Sequence, residues 1–252
     1  MIDPNEKQFF VSTVKNSNYD KNSTTNLFNY DYLFPFGLSI FRNIYANKNY
    51  QFSVEGGTHT VFGIRRENNA YLNGHRRSYL NTDFIIELDY SIKFNEHFFL
   101  KTGIMHRSTH LGDDFILLQG ITAKDYWRND PSNYEVAKAT VLYKSKFIKS
   151  YARLGYVIRK DTPRKKLEIQ TGFFISEASQ KKIIKNLVFG IDMKMLENNG
   201  YNPGFKTAFG YRFIKDACFM IEYYNGNFPY SRYETDLKIR WFGIGLYIDS
   251  FN

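Results

Sequence analysis

Residues 106–114 hold the densest run of chemically capable side chains in this sequence: His106-Arg107-Ser108-Thr109-His110-Leu111-Gly112-Asp113-Asp114. A serine becomes a nucleophile when a neighbouring base takes its proton, and the base works best when a third group orients it. His106 and Ser108 are two residues apart, so in a β-strand they share a face. Asn133 and Glu135 repeat that spacing on what should be the next strand, bringing four polar groups onto one surface. Those are the raw materials of nucleophilic catalysis. Just beyond, His110, Asp113 and Asp114 could hold a divalent cation, because hard carboxylate oxygens suit calcium or magnesium. A plainer role stands beside each. His106 and Ser108 could bond loop backbone or lipid headgroups, and the aspartates could form a solvated turn after Gly112.

What would position these groups is an unbroken two-residue rhythm. Leu80, Thr82, Phe84, Ile86, Leu88, Tyr90 and Ile92 fall on one face, and Asn81, Asp83, Glu87, Asp89, Ser91 and Lys93 on the other. Successive strand side chains point to opposite faces, so this segment has one apolar and one charged surface. Similar segments recur over 8–14, 33–42, 51–65, 78–93, 97–108, 133–144, 147–160, 166–176, 184–194, 203–213, 217–225 and 236–249, twelve in all. The 115–121 segment, FILLQGI, is a candidate thirteenth. Connections after Arg42, Lys93, Lys144, Ser176 and Phe213 are short; most others are longer, notably 15–32, 66–77 and 109–132. Short turns at one end and long loops at the other predict an all-β fold, a single antiparallel transmembrane β-barrel with both termini periplasmic. On this basis residues 1–252 form one domain in a bacterial outer membrane, with 1–7 as a periplasmic lead-in.

Composition agrees. Aromatics make up 18% of the chain, with 24 Phe and 20 Tyr, which suits a barrel girdled by aromatic rings at both interfaces. No apolar run approaches the roughly 18 residues a spanning helix needs. The net charge of +9 comes from scattered residues with no helical basic motif, which argues against nucleic acid and for a surface near anionic lipid or lipopolysaccharide. Arg65-Arg66 and His75-Arg76-Arg77 flank one outer loop, where lipopolysaccharide phosphates or plain solvation would account for them. Cys218 is alone, so no internal disulfide is expected. No secretory signal is visible at Met1, although an outer-membrane protein needs one; a removed precursor segment is expected.

Pairing the strands sharpens the faces. With the turn after Lys93 centred on Asn95, Asp89 opposes Lys101 and Asp83 opposes Arg107 in the lumen, while Ile92 meets Phe98 outside. With a tight turn at Ser145–Lys146, Tyr143 meets Ile148, and Lys138 meets Arg153 inside, a like-charge contact needing an acid from a neighbour. A lumen so rich in Arg, Lys, Glu and Asp predicts a filled, hydrogen-bonded interior rather than an open channel. On the expected fifth strand, the apolar row Leu100, Thr102, Ile104 ends in His106 and Ser108. They would face outward, at lipid-headgroup height.

This arrangement resembles outer membrane phospholipase A, a twelve-stranded barrel whose His-x-Ser pair and an Asn on the next strand sit on the outside. The resemblance rests on His106, Ser108 and the strand count; Thr109-His110-Leu111 stands where the phospholipase has Asn-Gly. It implies Ser108 as nucleophile, His106 as general base and Asn133 or Glu135 as orienting group, with calcium as a possible cofactor. Read end to end, the chain also resembles a bacterial envelope family catalogued as a domain of unknown function. Asp3-Pro4-Asn5-Glu6, the 106–114 motif, Asn133-Tyr134-x-x-Ala137, Ala152-x-x-Gly155-Tyr156, Glu222-Tyr223-Tyr224-Asn225-Gly226 and Gly243-Ile244-Gly245-Leu246 carry that likeness. It implies an outer-membrane barrel and no particular activity. Three functions follow: a filled-lumen structural or lipid-contacting barrel, a Ser/His lipid hydrolase, and a narrow solute channel.

Overall fold

The computed structural model describes residues 9–18, 30–66, 75–118, 132–161, 164–176, 186–214, 216–230 and 237–248. Among them are twelve strands: β1 (Phe9–Asn16), β2 (Tyr32–Ala46), β3 (Tyr50–Arg66), β4 (His75–Lys93), β5 (Phe98–Leu111), β6 (Ser132–Lys144), β7 (Ile148–Lys160), β8 (Leu167–Ser176), β9 (Leu187–Leu196), β10 (Gly204–Ile214), β11 (Ala217–Asn227) and β12 (Lys238–Ile248). Each pairs antiparallel with its chain neighbours. β1 pairs with β12 from Phe9↔Ile248 to Asn16↔Trp241, closing the barrel and leaving no free edge. Both ends of the described chain therefore lie at the rim that carries the 47–49, 94–97 and 145–147 turns. The expected 1–7 lead-in falls outside the described residues.

Alternation sorts the side chains inside out. Along β4, the outward Phe84, Ile86, Leu88 and Tyr90 keep 41% to 57% of their surface exposed, whereas the inward Asp83, Glu87 and Asp89 keep 3% or less. A wall of exposed apolar rows around buried charge is the pattern of a barrel solvated by lipid, not water. No helix among the described residues is long and apolar enough to cross a membrane.

Inside, the charges are paired. Lys101 Nζ lies 2.8 Å from Glu55 and 2.9 Å from Asp89, Lys138 Nζ 2.7 Å from Glu87, and Lys206 Nζ 2.5 Å from Glu222. Arg107 donates to Asp83 (2.5 Å), to Tyr134 Oη (3.2 Å) and to the carbonyl of Pro229 (3.0 Å). The last bond draws the start of the β11–β12 connection into the lumen. There Phe228 and Tyr230 join a buried cluster with Val61, Leu80, Leu111, Tyr224 and Trp241. Tyr224 stacks on Trp241 with ring centroids 4.3 Å apart.

Two hairpins depart from the expected register by two residues. Ile92 opposes Leu100 rather than Phe98, and Tyr143 opposes Ser150 rather than Ile148. Side chains widen both turns. Asn95 Oδ1 accepts the backbone N–H groups of His97 and Phe98 at 2.8 and 2.9 Å, and Ser145 Oγ accepts that of Ile148 at 3.1 Å. A slip of two keeps every residue on its face. Asp89 thus opposes Gly103 and Asp83 opposes Thr109, and the two acids reach Lys101 and Arg107 diagonally. Lys138 opposes Gly155 and bonds Glu87, while Arg153 opposes Thr140 and donates to Gln170 (3.1 Å), so the expected like-charge contact does not form.

Four further expectations are corrected. A bulge opposite Val61 and Phe62 removes Leu80 from the outward row and buries it at 2% exposure. Residues 115–118 belong to a short helix, α1 (Asp113–Leu118), not to a strand; 119–121 fall outside the described residues. β5 runs through Leu111, so Thr109 and His110 are strand residues and the long connection begins at Gly112. The connection after Ser176 reaches Leu187 and is not short.

Candidate functional site

β5 separates two tasks by residue parity. Its odd residues point inward: Arg107 and Thr109 are buried, and Thr109 Oγ1 donates to the same Asp83 carboxylate (2.8 Å) that holds Arg107. Its even residues 106, 108 and 110 point outward as one row. Ile86, Phe84 and Thr82 of β4 lie across from His106, Ser108 and His110. On the other side, Glu135 and Asn133 of β6 lie across from His106 and Ser108.

Two hydrogen bonds organise the row. His106 Nδ1 lies 3.0 Å from Glu135 Oε1, with the histidine side chain 43% exposed and the glutamate 19%. An ionised carboxylate only accepts, so this bond places the proton on Nδ1 and, in the neutral ring, leaves Nε2 as the basic nitrogen. Arg159 Nη1 stands 3.8 Å from the same oxygen. Ser108 Oγ lies 3.2 Å from His110 Nε2, and the His110 ring sits edge-on to Phe84 at 5.6 Å. Asn133 Oδ1 and Glu135 Oε2 are buried without a hydrogen-bond partner among the described residues. Unsatisfied buried acceptors are costly and mark places where a donor can be received.

Of the residues picked from sequence, His106, Ser108, Asn133 and Glu135 share one outward patch across β5 and β6. Inside it Glu135, one of the two expected orienting groups, bonds His106, whereas the serine bonds His110 rather than His106. His110, expected as a metal donor, shares the outward face of Ser108, as its two-residue spacing requires. His110, Asp113 and Asp114 do not converge as ligands. Asp114 Oδ2 accepts the Tyr79 backbone N–H (3.1 Å), and both aspartates lie in the first turn of α1. Among the described residues, three acidic or imidazole donors come within 4.8 Å of one another only at Glu55, Glu87 and Asp89 in the lumen, where Lys101 pairs with Glu55 and Asp89 and Lys138 with Glu87. His110, Asp113 and Asp114 as placed thus do not fit the six to eight oxygens calcium takes.

The barrel resembles solved outer-membrane proteins. Salmonella typhi outer membrane phospholipase, solved as a dimer with bound calcium, superposes with a TM-score of 0.65 at 12% identity over 96% of this chain and 90% of that one. The Escherichia coli outer membrane phospholipase A gives 0.65 at 11% identity, over 96% and 92%. A KdgM porin gives 0.54 at 11% identity, over 97% and 99%. At such identities the likeness is one of fold. No curated protein sequence matches the chain significantly. The pattern of the family described as "Protein of unknown function (DUF1207)" matches residues 36–249, and the chain belongs to that family.

Proposed function

We propose that this protein is a bacterial outer-membrane barrel that works from its outer wall, as a hydrolase of lipid esters with Ser108 as nucleophile. The observation that carries this is the outward row His106, Ser108, His110, in which Ser108 Oγ is hydrogen-bonded to an imidazole and a second imidazole is held by a carboxylate. Polar groups facing lipid are expensive and tend to have a use. Here they are those of acyl transfer. His106 is the general base, because Glu135 fixes its Nδ1 and leaves Nε2 free. His110 holds the hydroxyl at rest, so for His106 to act Ser108 must change its χ1 rotamer and turn Oγ from His110 toward His106.

In the reaction, Ser108 Oγ bonds to the ester carbonyl carbon as its proton passes to His106 Nε2. The carbonyl electron pair moves onto oxygen, where the Asn133 amide, across the ladder from Ser108, supplies a donor. Collapse breaks the bond to the alcohol, which leaves with the proton from His106. Water then repeats the sequence on the acyl-serine and releases the fatty acid. The partners are outer-membrane lipids. The lumen, filled by ion pairs and the inward-folded 228–230 segment, carries no solute current.

The test is fatty-acid release from phospholipid in mixed micelles, with calcium and with chelator, by the folded protein and by Ser108→Ala. Release that vanishes in Ser108→Ala supports the hydrolase. Equal release from both proteins, or none from either, leaves a lipid-contacting barrel without catalysis. Steady conductance in planar bilayers, altered by Lys101→Glu, would instead support the channel function that the porin-like fold allows.

A further inference from the structure

The outward apolar rows of β2, β3 and β4 are interrupted at Gly56, where β3 presents no side chain. Its cross-strand partners are Ile40 on β2 and Ile86 on β4. A groove of about 640 Å³ opens there on the outer wall, lined by Ile40, Ile44, Val54, Gly56 and Ile86, with Arg42 toward the short-turn end. Ile40 and Ile86 are 77% and 57% exposed, so the groove is open to whatever surrounds the barrel.

The groove adjoins the Ser108 row. Ile86 is the cross-strand partner of both Gly56 and His106, so β4 alone separates the notch from the site. Two interstrand steps of ~4.8 Å and one two-residue step of ~6.6 Å place the notch roughly 12 Å from Ser108. One leaflet's hydrocarbon is roughly 15 Å deep, so a membrane acyl chain covers that distance and a short-chain ester does not. We infer that the Gly56 notch seats the distal part of a long acyl chain whose ester lies at Ser108. This rests on the hydrolase proposed above and specifies its substrate as a long-chain lipid ester. A flexible, apolar chain suits an irregular groove walled by isoleucines on the face that meets lipid tails.

A larger residue at position 56 can fill the notch without moving the backbone. A Cβ there would meet Ile40 Cγ1 at 3.5 Å and Ile40 Cδ1 and the Ile85 carbonyl at 3.8 Å, which are ordinary contacts. The experiment has two arms. In the first, a phospholipid carrying a photoactivatable group near its acyl terminus is irradiated with Ser108→Ala, which cannot consume it. Label is expected on Ile40, Val54 or Ile86 and should be lost when Gly56→Leu is added. In the second, the ratio of long-chain to short-chain ester cleavage should fall on the order of fivefold in Gly56→Leu. That is less than a closed pocket gives per methylene, because lipid forms the remaining wall. Labelling of the groove by a protein that hydrolyses nothing would keep the notch and remove the hydrolase. Labelling unaffected by Gly56→Leu, or an unchanged cleavage ratio, overturns the notch. So does light scattering showing that Gly56→Leu converts a dimer to a monomer, which would assign the groove to a second copy.

Discussion

Replacing Arg107 with methionine tests the coupling between lumen and outer wall. Arg107 is 2% exposed and its partner Asp83 is fully buried, so the pair is shielded from water as a surface ion pair is not. Methionine keeps much of the bulk but removes the donors to Asp83, Tyr134 Oη and the Pro229 carbonyl. Asp83 then retains the Thr109 hydroxyl at 2.8 Å but no longer has the guanidinium. Breaking a buried pair from one side costs about 3–5 kcal/mol, against about 0–1 kcal/mol for an exposed pair. Arg107→Met should therefore lower unfolding stability by about 3–5 kcal/mol. Adding Asp83→Asn, which removes the stranded charge but keeps an acceptor for Thr109, should recover more than half. Urea unfolding of the lipid-reconstituted barrel, followed by tryptophan fluorescence and by the gel shift between folded and unfolded forms, reads both values. A single-variant loss below about 1 kcal/mol would show that water reaches this pair and that the lumen is not filled. A double variant no more stable than Arg107→Met would show that the cost came from the lost Pro229 contact, not from the stranded carboxylate.

Four other outcomes are expected. His106→Ala should reduce ester hydrolysis about 10²–10⁴-fold, Glu135→Gln less, and His110→Ala by no more than about tenfold, measured as kcat/KM in mixed micelles. Thr109→Val removes one buried bond to Asp83 and should cost about 1–2 kcal/mol in the same urea unfolding, leaving the outward groups chemically intact. Gly103→Ala should destabilise by about 2 kcal/mol, because its Cβ would overlap the Asp89 carboxylate and lie 2.5 Å from the Leu88 carbonyl oxygen; thermal unfolding checks it. Asp114→Ala should cost about 1 kcal/mol through the lost Tyr79 N–H bond and leave any calcium response of hydrolysis unchanged, since Asp114 does not converge with His110.

Alternation made the twelve strands and their two faces legible, because a period of two is insensitive to where a strand begins. For the same reason it could not set register: moving β5 by two residues against β4 leaves Asp89, Lys101, Asp83 and Arg107 all inside. The deciding information sat in turn side chains, Asn95 and Ser145, whose bonds to backbone N–H groups widen each hairpin. Leu80 was misplaced because a bulge breaks parity for one residue and nothing local announces it. FILLQGI was ambiguous since a short apolar run fits strand or helix. Asp113 and Asp114, acidic residues suited to a helix's first turn, were the cue to α1. The outward site was legible as a set of residues, but not its bonding: Ser108 has a histidine two residues away on either side, and spacing alone cannot choose.

Chemistry on the outer wall of a barrel has a positioning problem. Side chains there are flanked by fluid lipid, which cannot hold a rotamer, whereas catalytic groups need placement within about 0.5 Å. Rigidity has to come through the strand from the other side. β5 supplies it at alternate residues: Arg107 between His106 and Ser108, and Thr109 between Ser108 and His110, are both tied to Asp83, and Arg107 is tied also to β6 and to the 228–230 segment. β6 answers with Tyr134, buried between Asn133 and Glu135 and bonded to the same guanidinium. The two strands that carry the outward groups are thus joined through one buried arginine directly behind them. An open, water-filled lumen would forgo that lock. The paired charges inside and the polar row outside alternate along the same two strands, and the hydrolase proposed above depends on both.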